Sequence, residues 1–415
     1  MAALYYYNFF TLHNNWKDIT DLKPQLIGFE HWMKAEEYDV AANLLKKIDQ
    51  YLLLWVDCQS IVEKLESLKG KIKNPQLEMF RLDCLGKTYR NMSQYEKAIR
   101  FHKQALSIAK DYKNQQYGGS VYGNIGICYS GLGNIDKAIY YYQNALKIAS
   151  ENKDATLKAK WYNNLGICCF EIGKMNQAIS NYNQGLEIAR KYQDQKTIAE
   201  CLNNLCNCYS VKGQYKIAYK HGEQALIIQE KINDLIGKST TRHSIAEIFI
   251  DNKLYNEAIE FAEEGVRISK DIGNKRLQSF NQTILACAYL YSGSHNLTNA
   301  WNSITIAEQF NIPENNCYVY LLKGLISRIN GNEEDTYKAF EMSLEHGKKL
   351  LTKNKHNYKA LYVISLVLYG LHLWRKEDYL STAQKFLCKA LMINNDYGTK
   401  KRFGSLLQFI RKKHL

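Results

Sequence analysis

The chain has 415 residues, 55 Lys and Arg against 41 Asp and Glu, a formal charge of +14, and 46% hydrophobic with 23% charged residues. Only 3 prolines and 24 glycines punctuate it, too few for a loop-rich β protein or a disordered chain, while the apolar content is ample for a core. Disorder is excluded and helices are indicated; the length allows two or three globular domains or one extended repeat array.

The first residues, Met1-Ala2-Ala3-Leu4-Tyr5, carry no positive n-region and no cleavage-site pattern, so no signal peptide is expected. Leu26 to Ile48 reads as a degenerate helix pair. A long helix from about Gln50 to Leu68 follows, and Gly70 and Pro75 separate it from what comes next. From there the chain repeats itself. Leu85-Gly86, Ile125-Gly126 and Leu165-Gly166 each open a segment in which Ala-Ile follows after a loop and Leu-x-Ile-Ala closes. Ala98, Ala138, Ala178, Ala218 and Ala258 recur at a step of forty, as do Ile108, Ile148, Ile188, Ile228 and Ile268.

Each forty-residue unit reads as two antiparallel helices, A and B. Helix A carries a small residue (Gly86, Gly126, Gly166, Cys206, Ala246) that allows close approach of its neighbour, and Gly133, Gly173 and Gly213 mark the turn to helix B. Helix B carries one apolar stripe, which no single pair can bury, so stacked neighbours must supply the core. Weaker copies continue through Leu285 to Ala307, Gly324 to Leu344 and Ala383 to Ile393. The run Ala360 to Trp374 has no charged residue, but it is shorter than the roughly twenty residues a membrane span needs. It reads as a buried helix, and no membrane association is expected. Phe403 to Ile410 reads as a terminal capping helix with the basic end Arg411-Lys412-Lys413. The expected organisation is 1–75, an N-terminal helical region with the degenerate pair; 76–270, five regular repeats; 271–397, three divergent repeats; and 398–415, a basic capping helix.

This pattern resembles the tetratricopeptide repeat (TPR), whose usual period is about 34 residues, and is similar to the longer repeats of kinesin light chains and bacterial signalling TPR proteins. The resemblance implies an all-α, TPR-type α-solenoid, a right-handed superhelix of antiparallel helix pairs. The longer period adds about one and a half helical turns per pair, and the absence of the family's closing proline fits a helix B that runs on. A second resemblance lies in the first 75 residues or so: Asn15-Trp16-Lys17-Asp18-Ile19-Thr20-Asp21-Leu22, His31 to Asp39, Ala41 to Asp49 and Leu54-Trp55 look like the junction between ATPase module and TPR sensor in bacterial, especially cyanobacterial, STAND ATPases. No G-x-x-x-x-G-K-[ST] loop accompanies it. That resemblance implies the sensor half of a signalling or defence system without its motor: a split partner of a separate STAND-type ATPase, a truncated reading frame or a free-standing adaptor.

Catalytic patterns are absent: there is no H-E-x-x-H, G-x-S-x-G or strand-linked G-x-G-x-x-G, and an enzyme is not expected. Of the 11 cysteines, Cys128, Cys168, Cys169, Cys206, Cys208 and Cys287 sit in apolar helical patterns as small hydrophobes. Cys206-Asn207-Cys208 lacks the second pair a zinc site would use. Neither a metal nor a cofactor is expected, and reduced thiols without an export signal read as cytoplasmic. His243, on a helix A, reads either as facing a ligand or, by preference, as a solvated helix histidine.

The A helices of such an array line the surface where the family binds ligands. With Leu-Gly as positions 7 and 8, position 6 holds Asn124, Asn164 and Asn204 in consecutive repeats, position 5 adds Asn163 and Asn203, position 9 adds Lys87 and Asn207, and Lys160 stands at position 2. An amide side chain accepts and donates, so it can pair with both N–H and C=O of an extended peptide. The TPR resemblance implies that Asn124, Asn164 and Asn204 hold peptides; the same asparagines can instead bond the neighbouring repeat. Expected partners are a protein or peptide in this groove, held by a non-catalytic scaffold. A nucleic-acid or quorum-peptide regulator is a third class. Two basic clusters, Lys64, Lys69, Lys71, Lys73 and Lys400, Lys401, Arg402, Arg411, Lys412, Lys413, are compatible with acidic partners or nucleic acid, but no nucleic-acid motif accompanies them. Solvated loops and a cationic helix C-terminus are the preferred account.

Overall fold

The computed structural model of the protein describes residues 19–375 and 378–411. The start of the chain through Asp18, including the opening of the second resemblance, and Lys412 and Lys413 lie outside the described residues. Among those described there are 21 α-helices and no strand. They fall into two compact units, Met1–Asp154 and Ala155–Leu415.

The first unit opens with α1 (Lys23–Lys34) and α2 (Tyr38–Lys47), the degenerate pair expected from the sequence. The single long helix expected over 50–68 is two, α3 (Asp49–Trp55) and α4 (Cys58–Ser67). The break has a local cause: Asp57 adopts extended backbone (ψ 144°) and its carboxylate accepts the Ser60 N–H at 2.9 Å, an N-cap that starts a new helix. Leu22, Phe29, Leu45, Leu65, Leu77 and Leu85 share the core beneath these elements. Two repeats follow: α5 (Pro75–Asn91) with α6 (Tyr95–Asp111), and α7 (Gln115–Gly131) with α8 (Ile135–Glu151).

The second unit continues the register with α9 (Ala155–Glu171), α10 (Met175–Lys191), α11 (Gln195–Val211), α12 (Tyr215–Lys231), α13 (Leu235–Asp251) and α14 (Tyr255–Asp271). The divergent pairs are α15 (Lys275–Ser292) with α16 (Leu297–Gln309), α17 (Pro313–Ile329) with α18 (Glu333–Lys353), and α19 (Tyr358–Arg375) with α20 (Leu380–Ile393). α21 (Tyr397–Arg411) is last. α19 contains the long apolar run and is buried along most of its length. No helix among the described residues is long and apolar enough to cross a membrane.

Forty-residue periodicity has a simple structural origin. Every helix from α5 to α14 has 17 residues, and three-residue turns join them, so the added length is shared equally by A and B rather than carried by helix B alone. The turns are double caps. After α6, Lys113 takes φ 51°, its N–H reaches Lys110 O at 3.0 Å, and the Asn114 N–H reaches Ala109 O at 2.8 Å, closing the helix in a Schellman motif. The same Asn114 then accepts the Tyr117 N–H at 3.1 Å and caps α7. Asp194, Asp234 and Asn274 repeat the arrangement at the equivalent positions. Gly133, Gly173 and Gly213 hold the matching left-handed position of the A-to-B turns, with φ of 76° to 77°.

Within each pair the small residue of helix A receives a ring from helix B. A Cβ built on Gly86 would stand 2.5 Å from the His102 ring, on Gly126 2.8 Å from Tyr142, and on Gly166 2.5 Å from Tyr182. In the fourth repeat the sizes exchange: Gly222 of helix B lies against Cys206 of helix A. Ala246 and Ala262, both fully buried, hold the two positions in the fifth. Volume is thus balanced pair by pair.

Candidate peptide-binding face

In the first unit, the A-helix residues singled out by the sequence belong to a buried polar network. Asp83 is its centre. Lys87 Nζ lies 2.9 Å from Asp83 Oδ2 and 3.8 Å from Asp49, and His102 Nδ1 lies 2.9 Å from Asp83 Oδ1. Burial alone would raise the Asp83 carboxyl, but the Lys87 charge and the adjacent His102 ring outweigh it and hold the group well below the usual range. Asn124, only 6% exposed, donates its Nδ2 to Asp83 Oδ1 at 3.0 Å. Cys84, at position 6 of the same helix, is buried and its thiol is pushed up to about 12. Lys87 and Asn124 therefore have internal partners.

The amide row continues in the second unit with a different balance. Asn204 donates Nδ2 to Asn163 Oδ1 at 3.0 Å, joining position 6 of one A helix to position 5 of the one before it. Asn163 is buried, and it also receives the Cys201 thiol at 3.5 Å and reaches Glu200 at 3.5 Å. Asn164 is half-buried, with no side-chain partner among the described residues. Asn203 is buried and its Oδ1 has no partner, because Ser244, at position 6 of the next repeat, bonds Thr240 O of its own helix at 3.2 Å. Asn207 is half-buried one turn further along α11. Lys160 is exposed, its Nζ 4.9 Å over the ring of Trp161. Burial raises the Glu200 carboxyl, with Lys196 and Lys160 opposing. Positions 2, 5 and 6 thus present amides, a lysine and a carboxylate along α9 and α11.

Within the second unit, the end of the chain packs over position 12 of α9, positions 12 and 13 of α11 and positions 9 and 13 of α13, which the sequence did not reveal. Lys359, at the start of α19, lies 5.3 Å over Phe170, and α21 packs against α11 and α13. Of the basic residues there, Lys400 and Arg411 are exposed as expected, but Arg402 is only 18% exposed and paired with Glu247 and Asp251, and Lys401 lies 4.8 Å over the Tyr215 ring. In the early cluster, Lys64 bonds Glu30 at 2.6 Å and Lys71 lies 4.9 Å over the Tyr38 ring. His243 differs too. It is half-buried, edge-on to Phe280, and burial lowers its pKa, so it is a neutral ring within the face rather than a solvated surface group. The sequence signal for the covered half was Glu247 and Asp251, two carboxylates four residues apart at positions 9 and 13 of one A helix.

The tetratricopeptide-repeat profile matches residues 78–151 and 119–191. Comparison with curated protein sequences finds no match. Among solved structures, a Rap protein complexed with competence and sporulation factor is 16% identical with a TM-score of 0.58, over 81% of this chain and 99% of that one. NprR in complex with its cognate peptide NprX is 18% identical with a TM-score of 0.53, over 78% and 97%. A STAND protein with a tetratricopeptide-repeat sensor from Pyrococcus horikoshii is 17% identical with a TM-score of 0.57, over 84% of this chain and 52% of that one. The chain carries tetratricopeptide repeats and its fold is an all-α solenoid of that type.

Proposed function

We propose that the protein is a non-catalytic scaffold that holds an extended peptide or protein segment along positions 2, 5 and 6 of the A helices of its second unit. The observation that carries this reading is the Asn204–Asn163 bond: it uses one N–H of Asn204, fixes the plane of that amide, and leaves its carbonyl to meet a ligand beside the unpartnered Asn164. A pre-oriented amide pairs with peptide backbone at little entropic cost, whatever the ligand's side chains. Lys160 and Glu200 supply charge selectivity at the edge. The complex of the fold neighbour NprR with its cognate peptide supports the same class of ligand. Asn124 and Lys87 belong to the scaffold interior in this reading.

Peptides selected from an unstructured library against the full chain test it. Replacing Asn164 and Asn204 by Ala removes backbone hydrogen bonds of about 1 kcal/mol each, so affinity falls about tenfold or more. The helical melt changes little. Unaltered affinity refutes the assignment.

A second reading, the sensor half of a STAND-type system, is supported by the P. horikoshii similarity, in which this chain spans about half of the other protein. A nucleotide-hydrolysing subunit bound stoichiometrically to the chain from its native cells supports it; recovery without one supports the simple scaffold.

A further inference from the structure

The last helix of the second unit presents two neighbouring stripes with different partners. Phe403, Leu406 and Ile410 are buried in the unit's core and lock α21 in place. Arg402 ties the same helix to α13, 3.0 Å from Glu247 and 2.7 Å from Asp251. Lys401, Ser405 and Gln408, spaced at i, i+4 and i+7, form the second stripe. With Phe409 they line a cavity of about 250 Å³. The facing wall comes from the A helices: Glu247 and Asp251 at positions 9 and 13 of α13, Cys287 and Tyr291 at the same positions of α15, and Tyr318 of α17. Tyr255, the first residue of α14, lies beside Tyr291. Both walls are packed helices, so the cavity is pre-formed.

Its lining has a definite chemistry. The Tyr291 ring lies 6.0 Å from Tyr255 and nearly parallel to it, and 5.1 Å from Phe409 at a steep angle. A further ring entering the cavity meets aromatic faces and edges, the surroundings that aromatic rings prefer. The Tyr318 hydroxyl meets the Cys287 sulfur at 3.7 Å, a weak partner, so an oxygen acceptor would satisfy it better. Burial pushes the Cys287 thiol up to about 12 and holds the Tyr291 and Tyr318 phenols well above their usual value. These groups stay protonated, as donors rather than nucleophiles. Arg402 satisfies the two carboxylates, while Lys401 and Lys253 add positive charge to the lining. That balance favours an anionic guest and opposes an ammonium. Size narrows the class further: a cavity of about 150 Å³ holds benzene, so this one holds about ten non-hydrogen atoms.

We propose that this cavity is a binding site for a small aromatic carboxylate, its ring against Tyr255, Tyr291 and Phe409 and its carboxylate taken by Lys401 and the Tyr318 hydroxyl. The site is separate from positions 2, 5 and 6 of the A helices, and the inference does not rest on the peptide reading.

The probe is 4-fluorobenzoate, titrated into the full chain and followed by fluorine NMR, with 4-fluorobenzylamine as its cationic counterpart. The benzoate should bind saturably with a Kd of about 0.1–1 mM, and about tenfold more tightly than the amine. Ser405→Phe places a ring in the cavity and should abolish this binding. Should that variant fail to fold, Tyr318→Phe decides: it keeps the ring, removes the O–H and should weaken the benzoate about tenfold. Asn164→Ala and Asn204→Ala should leave the affinity unchanged; its loss in them puts the probe on the peptide face and overturns the proposal. Absence of saturable benzoate binding overturns it too, as does equal or tighter binding of the amine. Binding indifferent to the cavity variants has the same consequence.

Discussion

Gly166 and Tyr182 allow the packing logic of the repeats to be tested quantitatively. A Cβ on Gly166 would stand 2.5 Å, 2.6 Å and 2.9 Å from Tyr182 Cε1, Cδ1 and Cζ, and the ring is buried in the second unit's core. Carbon contacts settle near 3.5–4.0 Å, so Gly166→Ala must push the ring back by roughly 1 Å into packed neighbours, at a cost of about 1–3 kcal/mol. Better helix propensity returns about 1 kcal/mol, so the single variant loses roughly 0–2 kcal/mol. Tyr182→Ala alone empties the seat and costs about 3–5 kcal/mol. In that background, Gly166→Ala adds a methyl to vacant space and gains about 1 kcal/mol from propensity alone, so its effect changes sign. A double-mutant cycle should therefore give a coupling of about 2 kcal/mol. Because a repeat array can unfold in parts, hydrogen exchange of the α9 and α10 amides should accompany urea melts. Additivity within about 0.5 kcal/mol would refute the argument that glycine is there to receive the ring.

Two further outcomes follow from the turns and from the buried network of the first unit. Gln193 sits at φ 58° where the equivalent position after α14 is Gly273; Gln193→Gly should raise stability by about 0.5–1 kcal/mol, read as a higher urea midpoint, and a lower midpoint contradicts the strain argument. Asp83 is held below its unfolded pKa of about 3.9, so its contribution is complete above that pH and is lost as pH falls through the lower folded value. Acidification from about pH 5 downward should therefore speed hydrogen exchange in α5 and α7. Asp83→Asn should weaken this dependence, and an unchanged profile excludes Asp83 as its source.

Much of the fold was legible because the apolar and small residues recur in register: Ala98 through Ala258 and Gly86 through Gly166 define the pairs directly. The equal 17-residue helices were harder to read, since Lys113, Lys153 and Gln193 occupy left-handed positions that glycine would have announced. Asp57 broke a helix through a single side-chain cap, a local event with no periodic signature. The candidate face was half legible. The Asn164 and Asn204 row follows from position in the repeat, whereas whether an amide faces inward depends on its neighbour: Asp83 draws Asn124 in, and Asn163 takes only one N–H of Asn204. The meeting of Arg402 with Asp251, 151 residues apart, is set by tertiary geometry that no local pattern encodes.

Site-specific photocrosslinking tests the central claim most directly. Lys160→p-benzoylphenylalanine places the crosslinker at position 2 of an A helix in the second unit, and Ile227→p-benzoylphenylalanine places it on a B helix at a site 64% exposed. With a library-selected peptide bound to the full chain, position 160 should capture the peptide and position 227 should not. Capture at 227 with none at 160 would contradict the assignment of the A-helix face as the ligand site.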